Sequence, residues 1–460
     1  MMIDPVHISD SAIYSSSWST PELRALFAES NKISGWLEII AVLASVQAEF
    51  GLIPDEAARE IAACHEQIQI DAAFLQEAQD SFMRSNHSLL GIIEALKARL
   101  GPLGGEWVCY GATAQDITDT QTMRVLMRVR ERFIEDLADI EHHLIALARK
   151  YRDTPMCGRT HGQPGLPITF GFKAAGWLDE MDRHRLRLLE IAPRLGVGQL
   201  AGGVGSLSAL GVKGLLLQHR CLERLGLQSP AISWTSSRDR LAEWMNCLAL
   251  ITSTGDRIGQ EIVQLQRPEI GELSEGFTQG AVGSITMPQK RNPEVSEHLG
   301  TLSRVVRHHA AHMVENLVHS HERDGRAWKG EWAIIPDATL AAAKALALLK
   351  ALLADLQVHE ERMLANIDAT QGFIYSEKVM LALANKIGKQ SAHRLVYRIA
   401  MTAYEKKEPL LKALKNDADS AALLPPDDIE ALFELEASTG HCAGMVDAVI
   451  QAIQLPKRSR

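Results

Sequence analysis

Between Asp119 and Tyr151 the chain contains neither glycine nor proline, and its apolar residues return as Met123, Leu126, Val129, Phe133, Leu137, Ile140, Leu144, Leu147 and Tyr151. Steps of three and four residues put these side chains on one face of an α-helix. At 1.5 Å of rise per residue that helix is roughly 45–50 Å long. Thr118, Asp119 or Thr120 can cap its start by accepting from the first-turn N–H groups. Comparable stretches run over 21–50, 172–193, 236–266, 293–321 and 336–358, each opened or closed by Ser, Asp, Pro or Gly. Alternating strand patterns are nearly absent. Helices of this length stand well above the globular mean of about 11–12 residues. The prediction is an all-α fold: an N-terminal helical domain over 1–110, an elongated long-helix bundle over 111–364 and a helical C-terminal domain over 365–460. Asp337–Leu356, rich in Ala and Leu, is apolar on more than one face, which predicts burial in a homo-oligomer.

Composition narrows the class. The 460 residues are 46% apolar and 23% charged with a formal net charge of −9, values of a globular chain rather than a disordered, collagenous or disulfide-stapled one. No run approaches 18 consecutive apolar residues, and the opening lacks a basic stretch followed by an apolar one, so neither a membrane span nor a signal peptide is expected and the protein is placed in the cytoplasm. Six scattered cysteines without a C-x-x-C pair suit reduced thiols. A mildly acidic chain without a basic run is not a nucleic-acid binder.

Three polar segments interrupt the helices. The first, Gly111 to Asp116, precedes the long helix, and Thr113 and Gln115 lie where a helix N-terminus favours a carboxylate. A plain capping loop explains it equally well. The second, Gly158 to Gly165, crowds Arg159, Thr160, His161 and Gln163 into a turn that is no regular helix. Histidine titrates near neutrality and suits proton transfer, although a lone loop histidine also serves as an ordinary hydrogen-bonding group. The third, Gly280 to Pro293, has glycines that permit a closable loop and offers Ser284, Lys290 and Asn292 as base, cation and amide donor. A serine base needs backbone N–H groups and a nearby ammonium to hold its alkoxide.

The stretch Gly283-Ser284-Ile285-Thr286-Met287-Pro288-Gln289-Lys290-Arg291-Asn292-Pro293 resembles the signature loop of the aspartase/fumarase superfamily, G-S-S-x-M-P-x-K-x-N-P, departing only at Ile285. The other two segments follow in the family's order. Ser17-Trp18 to Ile53-Pro54, Asp153 to Met156, and His321-Glu322-Arg323-Asp324 resemble the branch of adenylosuccinate lyase and bacterial 3-carboxymuconate cycloisomerase. The resemblance implies a homotetramer whose active sites draw on three subunits, and a reversible anti β-elimination from an N- or O-substituted succinate that releases fumarate without a cofactor. Ser284 would abstract the proton, Lys290 would help hold the aci-carboxylate, His161 would protonate the leaving atom and Glu297 would orient that histidine. Thr113, Gln115, Thr160, Gln163, Met287, Asn292, His87 and Arg323 would bind a small di- or tricarboxylate substrate.

Departures bear on the substrate. Cys109 stands where adenylosuccinate lyases carry histidine, Ala114 where a carboxylate-binding serine is usual, and Trp328-Lys329-Gly330-Glu331-Trp332 replaces a run associated with nucleotide binding. Against the cycloisomerases, Thr160-His161 is a pair they tend to lack. Adenylosuccinate lyase and cycloisomerase activities are the alternatives, with a catalytically silent scaffold as the non-enzymatic one. His308, His312, Glu315 and His319 recur at three- and four-residue steps, but one straight helix cannot close around zinc, so no metal is expected.

Overall fold

The computed structural model describes residues 6–277 and 285–454. The elements that carry the site are helices α1 (Glu29–Glu49), α2 (Ala72–Ser85), α3 (Leu90–Lys97) and α4 (Ala114–Lys150), strands β1 (Pro155–Thr160) and β2 (Gln163–Thr169), and helices α5 (Asp239–Gln266), α6 (Glu294–Glu315) and α7 (Gly325–Ala354). Two compact units divide the chain: unit 1 is Met1–Asp136, His184–Ser253 and Thr301–Ala347, and unit 2 is Leu137–Arg183, Thr254–Gly300 and Leu348–Arg460. The fold is all-α, as the periodicity predicts, with two short antiparallel β pairs among the described residues.

In unit 1, Ile117, Met123, Leu126, Val129 and Phe133 of α4 are fully buried, and the Phe133 ring stacks on Trp244 of α5 with centroids 6.1 Å apart. Each such side chain gains about 1.5–3 kcal/mol from leaving water. Helices α2 and α3 approach closely because position 91 is glycine: a Cβ there would sit 2.3 Å from the Ala78 carbonyl oxygen. In unit 2, Leu137, Ile140 and Leu144 continue the buried stripe. A separate apolar cluster, including Val379, Leu383, Ile399 and Leu414, forms the core of the C-terminal helices.

Several boundaries differ from the sequence reading. The stretch 21–50 is two helices, Pro21–Phe27 and α1, because Ala28 is extended (φ −56°, ψ 142°). Helix α4 begins at Ala114, so Thr118, Asp119 and Thr120 lie inside it; its start is held by the Asp116 carboxylate, which accepts from Thr113 N–H at 2.9 Å. Helix α6 ends at Glu315 rather than near 321. Helix α7 starts at Gly325 and runs through Pro336, the residue expected to open it. By length and mean hydropathy α7 could cross a membrane although it holds no unbroken apolar run of that length, but 61% of its most apolar window is buried in the protein. That burial is what a core helix shows.

Candidate active site

The first segment assembles at the start of α4 in unit 1. Gln115 is fully buried: its Nε2 donates to Asp119 Oδ2 and to the Thr235 carbonyl, each at 2.9 Å, and its Oε1 accepts from Arg323 Nε at 2.8 Å. The same guanidinium donates to the Gly203 carbonyl at 3.1 Å. Gln115 and Arg323, chosen separately from the sequence, are therefore direct partners. Thr113 is half-buried one residue before the helix. Asp116 accepts from the N–H groups of Thr113, Ala201 and Gly202 at 2.9–3.0 Å. Burial nonetheless outweighs these donors and pushes its carboxyl up to about 6.

Behind Gln115 lies a buried charge network that no local spacing announces. Arg238 is wholly enclosed and donates to Glu331 at 2.8 and 2.5 Å and to Asp119 at 2.6 and 3.2 Å, with the Trp234 ring 4.9 Å from its guanidinium carbon. Burial alone would lower the arginine pKa, but the two carboxylates outweigh it and the net direction is up. Desolvation shifts Glu331 upward, opposed by Arg238. Arg238 is 119 positions from Asp119 and 93 from Glu331 in sequence, so only the fold brings the three together.

The second segment, in unit 2, is not helical, as expected, and forms the turn of a β-hairpin: β1 pairs with β2, with Thr160 opposite Gln163. His161 and Gly162 form its two-residue connection with φ of 53° and 76°. Positive φ at both positions is the requirement of a type I′ turn, for which Asn-Gly is the favoured pair. Thr160, His161 and Gln163 are all solvent-exposed at the tip. The hairpin is fixed next to its turn by Arg159, which donates to both oxygens of fully buried Glu272 at 2.8 and 2.7 Å, and Asn366 Nδ2 donates to the same carboxylate at 2.7 Å.

Ser284 lies outside the described residues. Of the third segment, Ile285 is 97% exposed and Met287 and Lys290 are also exposed. Lys290 N–H donates to the Met287 carbonyl at 2.9 Å, and Arg291 sits over the Phe277 ring at 4.3 Å. Asn292 Nδ2 donates to Glu294 at 3.4 Å. Glu297 lies in the first turn of α6, whose N–H groups at Ser296 and Val295 are capped by Glu275 at 2.7 and 3.3 Å.

His87 lines a cavity of unit 1 together with Asp119, Arg238 and Glu331. Its Nδ1 accepts from Leu89 and Leu90 N–H at 3.3 and 3.2 Å, which caps α3 and leaves Nε2 to carry the proton of the neutral ring. Among the described residues no group of three or more His, Cys, Asp or Glu is placed to hold a metal. His309, beside the histidines of the α6 series, lies 3.9 Å from Asp337.

Comparison with known proteins supplies the family. A family model described as "Lyase" matches residues 16–307, and one described as "Adenylosuccinate lyase C-terminus" matches residues 372–449. N-acetyl-S-(2-succino)cysteine lyase of Enterococcus italicus is 40% identical, with 97% of this chain and 98% of that protein covered. Adenylosuccinate lyase of Methanocaldococcus jannaschii is 34% identical, with 96% and 95% covered. The crystal structure of 3-carboxy-cis,cis-muconate lactonizing enzyme from Pseudomonas putida superposes with a TM-score of 0.88 at 29% identity, covering 96% of this chain and 99% of that one. Family models, relatives and fold agree with the signature read at 283–293: the chain belongs to the aspartase/fumarase superfamily of lyases.

Proposed function

We propose that this chain releases fumarate from a substituted succinate by β-elimination, with Ser284 as the base and His161 as the acid. The observation that carries the reading is the hairpin tip, where an exposed imidazole occupies a left-handed position that asparagine would fill with less cost to a non-glycine backbone. Arg159 and Glu272 make the tip rigid, so the ring is presented with little entropy left to lose. Abstraction of the weakly acidic proton beside a carboxylate leaves a dianion that several donors must hold together. Lys290, Asn292 and Thr113 are the donors, Arg323 is set by Gln115 for a substrate carboxylate, and Glu297 orients His161. Thr160, Gln163 and Met287 contact substrate, and no cofactor takes part.

The substrate is a substituted succinate. The names of the relatives extend the leaving atom to sulfur beside nitrogen and oxygen. The enzyme acts in the cytoplasm as a homotetramer, with each site drawing on three subunits. Support for assembly comes from unit 1, where the large apolar side chains of Val212, Leu215, Leu216 and Ile232 stand 64–104% exposed, surface that a partner subunit would cover.

The test follows fumarate by its ultraviolet absorbance with N-acetyl-S-(2-succino)cysteine, N-succinyl amino acids and adenylosuccinate as substrates. Turnover of at least one adduct by the parent, lost in Ser284→Ala, is the expected result. Turnover unchanged in that variant removes the serine mechanism.

A further inference from the structure

A buried group of paired ions contributes little net stability compared with apolar side chains of the same volume, because each ion must first be stripped of water. Stability alone therefore does not account for Asp119, Arg238 and Glu331, which are 1–4% exposed inside unit 1. Their hydrogen bonds point to a second task. Arg238 Nη1 and Gln115 Nε2 reach Asp119 Oδ2 at 2.6 and 2.9 Å, and Arg238 Nη2 and Trp328 Nε1 reach Oδ1 at 3.2 and 3.3 Å. A carboxylate with donors on both oxygens is held against rotation.

That fixed oxygen decides which way the Gln115 amide faces. Both Nε2 hydrogens are directed at acceptors, Asp119 Oδ2 and the Thr235 carbonyl, so Oε1 is the atom that meets Arg323 Nε. Turning the amide over would set donor against donor at Arg323 and oxygen against oxygen at Asp119 and Thr235. Arg323 is in turn held along one side, Nε on Gln115 and Nη2 on the Gly203 carbonyl. Its end, Nη1 with the second Nη2 hydrogen, presents the parallel N–H pair that matches a carboxylate.

Resting on the reading of Arg323 as a donor to substrate carboxylate, we infer that Asp119 is a positioning residue: clamped by Arg238 and Trp328, it sets the Gln115 amide, and through it the Arg323 guanidinium, for one carboxylate of the substrate.

Succinate binding to the full chain, followed by titration calorimetry, tests this without turnover. Asp119→Leu keeps the branched shape and removes the acceptor, and is expected to weaken succinate about tenfold or more, the scale of one hydrogen bond to a charged group. Glu331→Met also leaves Arg238 with a single carboxylate but does not touch Gln115, and should bind within twofold of the parent. Asp119→Asn, whose one oxygen can take the place of Oδ2, should recover most of the affinity lost in Asp119→Leu. In an Arg323→Met background Asp119→Leu should have no further effect. If Asp119→Leu does not fold, Asp119→Leu combined with Arg238→Met, which leaves no cation half-paired, carries the same expectation. Equal losses in Asp119→Leu and Glu331→Met, or an undiminished Asp119→Leu effect without Arg323, would give the charges a purely structural part and overturn the inference. The two proposals fail separately: fumarate release by a parent whose succinate affinity Asp119→Leu leaves unchanged makes only the positioning wrong, and a loss of succinate affinity coupled to Arg323 in a protein that releases no fumarate from any adduct makes only the reaction wrong.

Discussion

At the scale of single residues, two positions hold conformations or charges that packing alone does not require. His161 occupies the first left-handed position of a type I′ turn. Because Asn-Gly is the preferred pair there, His161→Asn should melt at or above the parental temperature and yet lose about 10²–10⁴-fold in kcat, the usual worth of a general acid. Thermal melts and fumarate release on the same preparation check this, and a parallel loss of stability and activity would assign the ring a structural part. Asp116 presents the opposite balance. Burial raises its carboxyl to about 6 from an ordinary 3.8 against three backbone donors. A carboxyl that titrates higher in the folded state binds its proton more tightly there, so its contribution to stability is fullest below pH 3.8 and lost as pH rises through 6. The stability difference between the parent and Asp116→Asn, measured by urea unfolding, should therefore shrink as pH rises from about 4 to 6. A difference that grows over that interval would mean the donors win and the anion is the preferred form.

At the scale of elements, the long helix was legible because nothing in it competes with a 3.6-residue period, and the stripe read from the sequence is buried except at half-buried Leu147. Phe133→Ala should cost about 3–5 kcal/mol, seen as a lower urea midpoint, since the ring is fully enclosed against Trp244. A shift under 1 kcal/mol would mean that the site collapses around the vacancy. Helix starts were less legible. Thr118, Asp119 and Thr120 are good caps by type, but Asp116 reached Thr113, Ala201 and Gly202 first, and two of those partners lie some 85 residues away. The hairpin was missed because β2 has the sequence QPGLPIT, whose two prolines and one glycine mask any alternation. His161-Gly162 was the available signal, a glycine following a residue type that tolerates left-handed backbone. Proline at 336 misled for a related reason, since it is common at helix starts yet sits here inside α7.

At the scale of the molecule, the signature loop was legible as a motif, whereas Arg238, Asp119 and Glu331 were not, because their association exists only after folding. The proposed tetramer predicts a scattering mass near four times the 50.6 kDa of the chain. Leu216→Glu, at an exposed leucine of unit 1, should lower that mass and the activity together, and a monomeric parent with full turnover would contradict shared sites. The central claim concerns one proton and one heteroatom, and running the reaction backwards in D2O tests it most directly. With fumarate and N-acetylcysteine or an amine acceptor, the parent should yield an adduct carrying a single carbon-bound deuterium, and Ser284→Ala should yield none. An adduct formed at the parental rate by Ser284→Ala would contradict the account.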